Sequence, residues 1–233
     1  MKVGQVGRKL FELCGQDPAR VFSPFCWRSR MALALKGLDF ESVPWRFTET
    51  DKLAFANHDK VPVLVDGETV VADSWVIAQH LDRAYPEAPR LLQGPPAIYR
   101  FIMAWADSVL HPAIGRMIVS DIPALLGDER EYFVRSRTER YGMPLEQVTA
   151  DRATRLPALR ASLQPVRQAL AGQHYLGGDA PDYADCIVFG AFMWARSVSP
   201  LPMLEPADVI SAWRDRMLDQ AGGMARRAPC FGA

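Results

Sequence analysis

KVPVLVDGETVVADSWVIAQHLD, Lys60 to Asp82, holds two β-rich runs, a tight connection and a helix start in immediate succession. Val61 to Val65 and Glu68 to Ala72 are the runs, and Asp66-Gly67 between them is a two-residue connection suited to an antiparallel hairpin. Asp73 then stands where a helix N-cap belongs, with Ile77, Leu81 and Ala84 recurring on one face. The order is β-β-α.

Upstream, Lys9 to Leu13 reads as a strand, and a loop through Asp17-Pro18 leads to a helix opening at Pro24, a favoured first-turn residue because it needs no N–H partner. Ser23 is its N-cap, Trp27, Met31, Leu35 and Leu38 its apolar stripe, and Gly37 lies near its C-cap. Phe40 to Trp45 reads as a second strand, so a β-α-β unit precedes the β-β-α unit.

From about Ala97 onward only helical spacing recurs. Ile98, Ile102, Trp105 and Val109 share one face; Leu156, Leu159, Leu163, Val166 and Leu170 form a second stripe, read as one long helix. A further helix starts at Asp182, with Asp185 three residues on completing a capping box of structural purpose, and is apolar enough for burial on most sides. The chain therefore divides into an α/β domain over residues 8–86 and an all-helical domain over 98–233. They are joined by residues 87–97, whose three prolines and one glycine oppose a continuous element.

Composition excludes several classes. Lys plus Arg and Asp plus Glu both total 27, so no overall charge favours nucleic acid or an anionic membrane. The first ten residues lack the apolar core of a secretory signal, and the most apolar later stretch, Cys186 to Ala195, is too short to span a bilayer. A cytoplasmic protein is expected. The four cysteines and four histidines are dispersed, without metal-ligand spacing, so reduced thiols and no metal are expected.

A βαβ-ββα domain followed by a helical one, with Val61-Pro62 opening the hairpin and an acidic-Ser pair at Asp73-Ser74, resembles the cytosolic glutathione transferases over nearly the whole chain. The most specific elements are SPFCWR at Ser23 to Arg28, KVPVLVDG at Lys60 to Gly67, ADSWVIAQHLD at Ala72 to Asp82, and the capped start at Asp182 to Asp185. Within that superfamily the N-terminal motifs are most similar to the bacterial β-aryl-etherase branch and its fungal etherase-type relatives, which act on aromatic ethers from lignin. Cys26 departs from that pattern, standing where a larger apolar residue is expected. The resemblance implies a thioredoxin-like domain with a mixed sheet, an all-α bundle, glutathione as cosubstrate, a hydrophobic aromatic electrophile and a homodimer.

An unperturbed thiol has a pKa of roughly 8.5, so its thiolate must be stabilised to act near neutrality. Ser23, by the resemblance, donates its hydroxyl hydrogen to the glutathione sulfur at a helix N-terminus. Lowering the pKa by two units requires about 2.7 kcal/mol, and a hydrogen bond to a charged acceptor (about 1.5 to 3) with a helix-end contribution (about 0.3 to 1) suffices. No catalytic base is required. Taken locally, Ser23 is simply a cap.

The resemblance also implies the remaining glutathione contacts. Val61-Pro62 is a cis corner whose Val61 backbone pairs with the cysteinyl backbone, Asp73 accepts from the γ-glutamyl ammonium, and Ser74 with helix N–H groups holds its carboxylate. Lys60 meets a ligand carboxylate, with Arg28 and His58 as further candidates. Without the resemblance, a trans proline, a helix cap and solvated charges are the plainer alternatives.

Two rival functions stand beside this one. S-P-F-C is a dithiol-type C-x-x-C loop with its first cysteine replaced, which permits thiol-disulfide exchange through Cys26 as against a small packing residue. The other rival is a noncatalytic carrier of the same fold. Trp105, Met117, Tyr132, Phe133, Phe192 and Trp194 are core or acceptor pocket, the segment from Gly127 to Thr149 covers the site or faces solvent, and Arg135 to Arg137 reads as a solvated helix face.

Overall fold

The computed structural model describes residues 7–231, and its sheet is built around β1 (Lys9–Leu13). Met1 to Val6, part of the segment read for a secretory signal, lie outside the described residues. β1 pairs in parallel with β2 (Glu41–Trp45) and antiparallel with β3 (Val63–Asp66), which pairs antiparallel with β4 (Thr69–Ala72); the order is β2-β1-β3-β4. The parallel pair needs a crossover, which α1 (Pro24–Leu35) supplies. Glu12 is buried on the α1 side of β1, held by Arg30 Nε at 2.9 Å and Ser42 Oγ at 2.6 Å. Phe11 points the other way, onto Phe55 in a 3₁₀ turn at Thr50–Ala56.

Three local expectations shift. Asp66 pairs with Thr69, so the two hairpin residues are Gly67-Glu68, with Gly67 at φ +64 in the position that takes glycine. Asp66 instead completes the strand, and its carboxylate accepts from Tyr85 Oη at 2.6 Å. Helix α1 stops at Leu35 because Gly37 turns left-handed at φ +67, which leaves Leu38 to pack from the loop. In α2 (Ser74–Ala84) the buried face is Ile77, Ala78 and Leu81, and Ala84 is exposed.

The second half is helical: α3 (Pro96–Trp105), a π turn (Ala106–Leu110), α4 (His111–Ile118), α5 (Arg130–Tyr141), α6 (Leu145–Thr149), α7 (Arg152–Ser162), α8 (Gln164–Leu170), α9 (Tyr183–Val198) and α10 (Val209–Gly223). A mixed thioredoxin-like sheet followed by a helical bundle is the architecture that the resemblance implies. The expected stripe is turned inward only at its middle: Ile102 and Trp105 are half-buried against the core and Ile98 is 52% and Val109 40% exposed, whereas Tyr99, Ala106 and Leu110 are buried. Tyr99 decides the rotation, because its hydroxyl donates to Asp182 at 2.7 Å and accepts the N–H of Gln93 and Gly94. The leucine stripe is half-buried at Leu156 and buried from Leu159 to Leu170, but the helix is broken at Leu163, since Pro165 lacks the N–H that would continue the ladder.

Helix α9 runs through the centre, buried on nearly every side. Its capping box forms as read, and the Asp185 carboxylate also takes N–H groups from Leu176, Gly177 and the Trp213 indole. Gly190 lets α1 lie directly on α9: a Cβ there would stand 2.5 Å from the Pro24 carbonyl oxygen. The two halves thus meet at the first turn of α1. Among the described residues no helix is long and apolar enough to cross a membrane.

Candidate functional site

The register of β1 with β3, continued past Phe11 and Val63, brings the Val61-Pro62 corner level with the end of β1, where the chain turns toward Ser23. Val61-Pro62 is cis. The Pro62 carbonyl accepts the Asp73 N–H at 3.3 Å, so the corner and the start of α2 are held side by side. Asp73 sits at φ +76, a region that costs a non-glycine residue about 1–3 kcal/mol. One of its oxygens, Oδ1, accepts from Trp75 at 2.8 Å and Val76 at 3.2 Å, which leaves Oδ2 available. Ser74 is buried, and its carbonyl is fastened by the Tyr183 hydroxyl at 2.8 Å.

Ser23, itself buried, caps α1 by accepting the Cys26 N–H at 3.3 Å, which uses an oxygen lone pair and not the hydroxyl hydrogen, and it also lies within hydrogen-bond reach of the Cys26 thiol. The first turn of α1 carries no acidic residue, so nothing there opposes the positive end of the helix. Lys60 is exposed and has no carboxylate at ion-pair distance among the described residues. His58 is half-buried and accepts the Asp59 N–H at 3.0 Å through Nδ1, bound back to its own loop.

Arg28 is elsewhere. Its guanidinium is buried and donates to Asp107 in the π turn at 2.7 Å, so it ties the two halves together rather than presenting itself to a ligand carboxylate. Cys26 is buried too: Sγ accepts the Leu13 N–H at 3.4 Å, and burial, then the charge of Glu12, pushes its thiol up to about 12. A thiol so placed supplies no thiolate near neutrality.

The π turn brings in two residues the sequence reading passed over. His111 Nδ1 stands 3.3 Å from Asp107, and its ring meets Phe25 edge-on at 5.3 Å and Trp194 at 6.0 Å. Burial first, then the charge of Arg28, lowers its pKa to about 4, so the ring is neutral at pH 7. Pro112 was the available signal: it cannot donate to the Ser108 carbonyl, which favours an irregular turn at that point. On the opposite side Glu129, buried ahead of α5, accepts the N–H of Phe47 at 3.2 Å and of Thr48 at 2.7 Å. The segment from Gly127 onward thus packs on the loop that follows β2.

Residues 19–89 match the family model described as glutathione S-transferase, N-terminal domain, and residues 97–220 match that described as glutathione S-transferase, C-terminal domain. A probable glutathione S-transferase GSTU6 of Oryza sativa subsp. japonica is 27% identical, over 83% of this chain and 80% of that protein. The crystal structure of glutathione transferase GSTFuA3 from Phanerochaete chrysosporium has a similar fold, with a TM-score of 0.74 at 23% identity, over 93% of this chain and 92% of that one. That of CsGST63524 of Ceriporiopsis subvermispora, in complex with glutathione, gives 0.71 at 21% identity, over 95% and 94%.

Proposed function

Because the chain belongs to the glutathione S-transferase family, a glutathione-binding family, we propose that it binds glutathione at the Ser23, Pro62 and Ser74 end of its sheet and directs the thiolate at an apolar aromatic electrophile. The observation that carries this reading is the Val61-Pro62 corner, which accepts the Asp73 N–H and lies level with the end of β1, beside a helix start capped by Ser23 through its oxygen and not its hydroxyl hydrogen.

The roles follow from the atoms available. Ser23 Oγ–H donates to the sulfur anion, and the α1 terminus adds positive potential. The Val61 backbone pairs with the cysteinyl backbone. Asp73 Oδ2 receives the γ-glutamyl ammonium, while Ser74 at the α2 N-terminus meets its carboxylate. Lys60 is the cation for a second carboxylate, with His58 nearby in sequence. Arg28, paired with Asp107, takes no part in holding glutathione.

On an aryl ether, the new bond is carbon to sulfur and the broken bond carbon to oxygen; the phenolate departs, and glutathione is consumed as a thioether. The SPxxWR and DSWVIAxxLD motifs support this β-etherase form of the reaction. The oxidoreductase alternative is disfavoured by the burial of Cys26.

Residues 8–86 serve glutathione in this reading, residues 98–233 serve the acceptor, and 87–97 join them. The same reading puts the protein in the cytoplasm, in keeping with four unpaired cysteines. It also makes the protein a homodimer, for which exposed apolar side chains are present on β4, α2 and α3: Val70, Val76, Ile98 and Phe101, the last 72% exposed.

The deciding experiment is a titration of thiolate absorbance in the glutathione complex, followed by comparison of model aryl ethers with chlorinated aromatics. A bound thiol with the pKa of free glutathione would overturn the proposal.

A further inference from the structure

A closed circuit of contacts runs around Ser23. Phe22, its neighbour, meets Phe47 at 6.1 Å, and Phe47 meets Phe133 of α5 at 5.6 Å. Two turns along α5, the Tyr141 hydroxyl lies against Gly115 of α4, where an added Cβ would be 3.0 Å from it and 3.3 Å from Trp194. One turn back along α4, His111 meets Phe25, two residues from Ser23. Phe22 to Phe25 are the floor of this circuit, the loop after β2 and helix α4 its sides, and α5 its roof.

Phe133, Arg137 and Tyr141 lie four residues apart on one face of α5, so Arg137 occupies the middle of the roof. Its guanidinium carbon is 4.8 Å from the Phe133 ring centre and 5.6 Å from that of Phe47. It is not the solvated residue that the Arg135 to Arg137 run suggests. Among the described residues no carboxylate stands at ion-pair distance, and the acceptor it has is Ser136 Oγ at 2.9 Å. The Glu129 carboxylate, ahead of the start of α5, is occupied by the N–H groups of Phe47 and Thr48 and by Arg46 at 3.5 Å. Burial, then repulsion from Arg140, lowers the Arg137 pKa, the direction expected of a cation lacking its counter-ion.

We propose that Arg137 is a specificity-determining residue that binds a carboxylate carried by the acceptor, so that the preferred electrophiles are aromatic acids. The ring lies among Phe25, Phe47 and Trp194, with its reactive carbon toward Ser23 and its carboxylate on the guanidinium fork, which matches carboxylate geometry. Arg28, already neutralised by Asp107, and neutral His111 do not compete for the anion. This rests on the transferase reading and narrows its acceptor from an apolar aromatic to an apolar ring that carries one carboxylate. Glutathione itself carries carboxylates, and the experiment separates that source.

The test compares a chlorodinitrobenzoate with uncharged chlorodinitrobenzene in the wild type, Arg137→Gln and Arg137→Lys. Arg137→Gln is expected to lower kcat/KM for the benzoate about 10- to 100-fold, to change that for the neutral acceptor less than about threefold, and to leave the KM for glutathione alone. Arg137→Lys restores part of the loss. Equal losses on both acceptors, or a change confined to the glutathione KM, overturn the assignment. If the wild type transfers glutathione to neither acceptor, the transferase reading fails instead. Quenching of tryptophan fluorescence by the benzoate, weakened in Arg137→Gln and retained in Arg137→Lys, then still decides the role of Arg137, and unchanged quenching overturns it.

Discussion

Arg28, in the helix that Ser23 caps, donates to Asp107 across the boundary between the two halves of the chain at 2.7 Å. The guanidinium is buried whereas the carboxylate is nearly half exposed. Removing the carboxylate therefore leaves a buried, uncompensated cation, the more costly way of breaking such a pair. Asp107→Ala is expected to lower stability by about 2 to 3 kcal/mol in urea unfolding, the exposure of Asp107 holding it below the range for fully buried pairs. A loss under about 0.5 kcal/mol would show that the pair does not hold the halves together.

Ser23 and Cys26 share a hydrogen bond yet should differ in consequence. Ser23→Ala removes the donor to the sulfur and is expected to raise the bound thiol pKa by about one to two units and to lower kcat/KM about 10- to 100-fold. The lost cap costs about 1 kcal/mol. Cys26→Ala should keep most of the activity. The reverse pattern in steady-state kinetics would restore the oxidoreductase reading.

His111 gives the stability a pH dependence of known sign. Its folded pKa of about 4 lies below the unfolded value of 6.5. Between those values the unfolded chain binds the extra proton, so stability is full above about pH 6.5 and falls as pH drops toward 4. The loss attributable to this residue is about 3 kcal/mol. His111→Phe should flatten the wild-type curve between pH 6.5 and 4. Parallel curves for the two proteins, by urea unfolding across that range, would count against the burial of the ring.

Gly190 is where α9 touches the start of α1. Gly190→Ala drives a Cβ to 2.5 Å from a backbone oxygen, which must move with the helix N-terminus. Destabilisation of about 1 to 3 kcal/mol is expected, with a fall in activity because Ser23 rides on that turn. Gly142→Ala, in open space at φ +69, offers a control in which stability falls but kcat stays.

Among the described residues of the helical half, Phe101 is the most exposed large apolar side chain. If its face is the dimer contact, Phe101→Glu should yield monomers in sedimentation analysis while leaving the thiol pKa unchanged. A wild-type protein that already sediments as a monomer would remove the homodimer from the proposal.

Much of this molecule is local in origin. The Pro24 helix start, the Ser23 and Asp73 caps, the hairpin and the Asp182-Asp185 box each depend on residues within a few positions of one another, so their backbone preferences are visible in the chain itself. The fates of individual side chains are not. Ile98 and Tyr99 are adjacent apolar-bodied residues on one helix, and only the Asp182 carboxylate, far along the chain, makes Tyr99 the buried one. Arg28, Cys26 and Arg137 look like ordinary members of their helices until Asp107, Leu13 and Phe47 are brought against them. The order of strands and helices followed from short-range geometry; the silencing of Cys26 followed from the packing of α1 on β1, and the burial of Arg28 and the lack of a counter-ion at Arg137 from contacts that exist only after the two halves close.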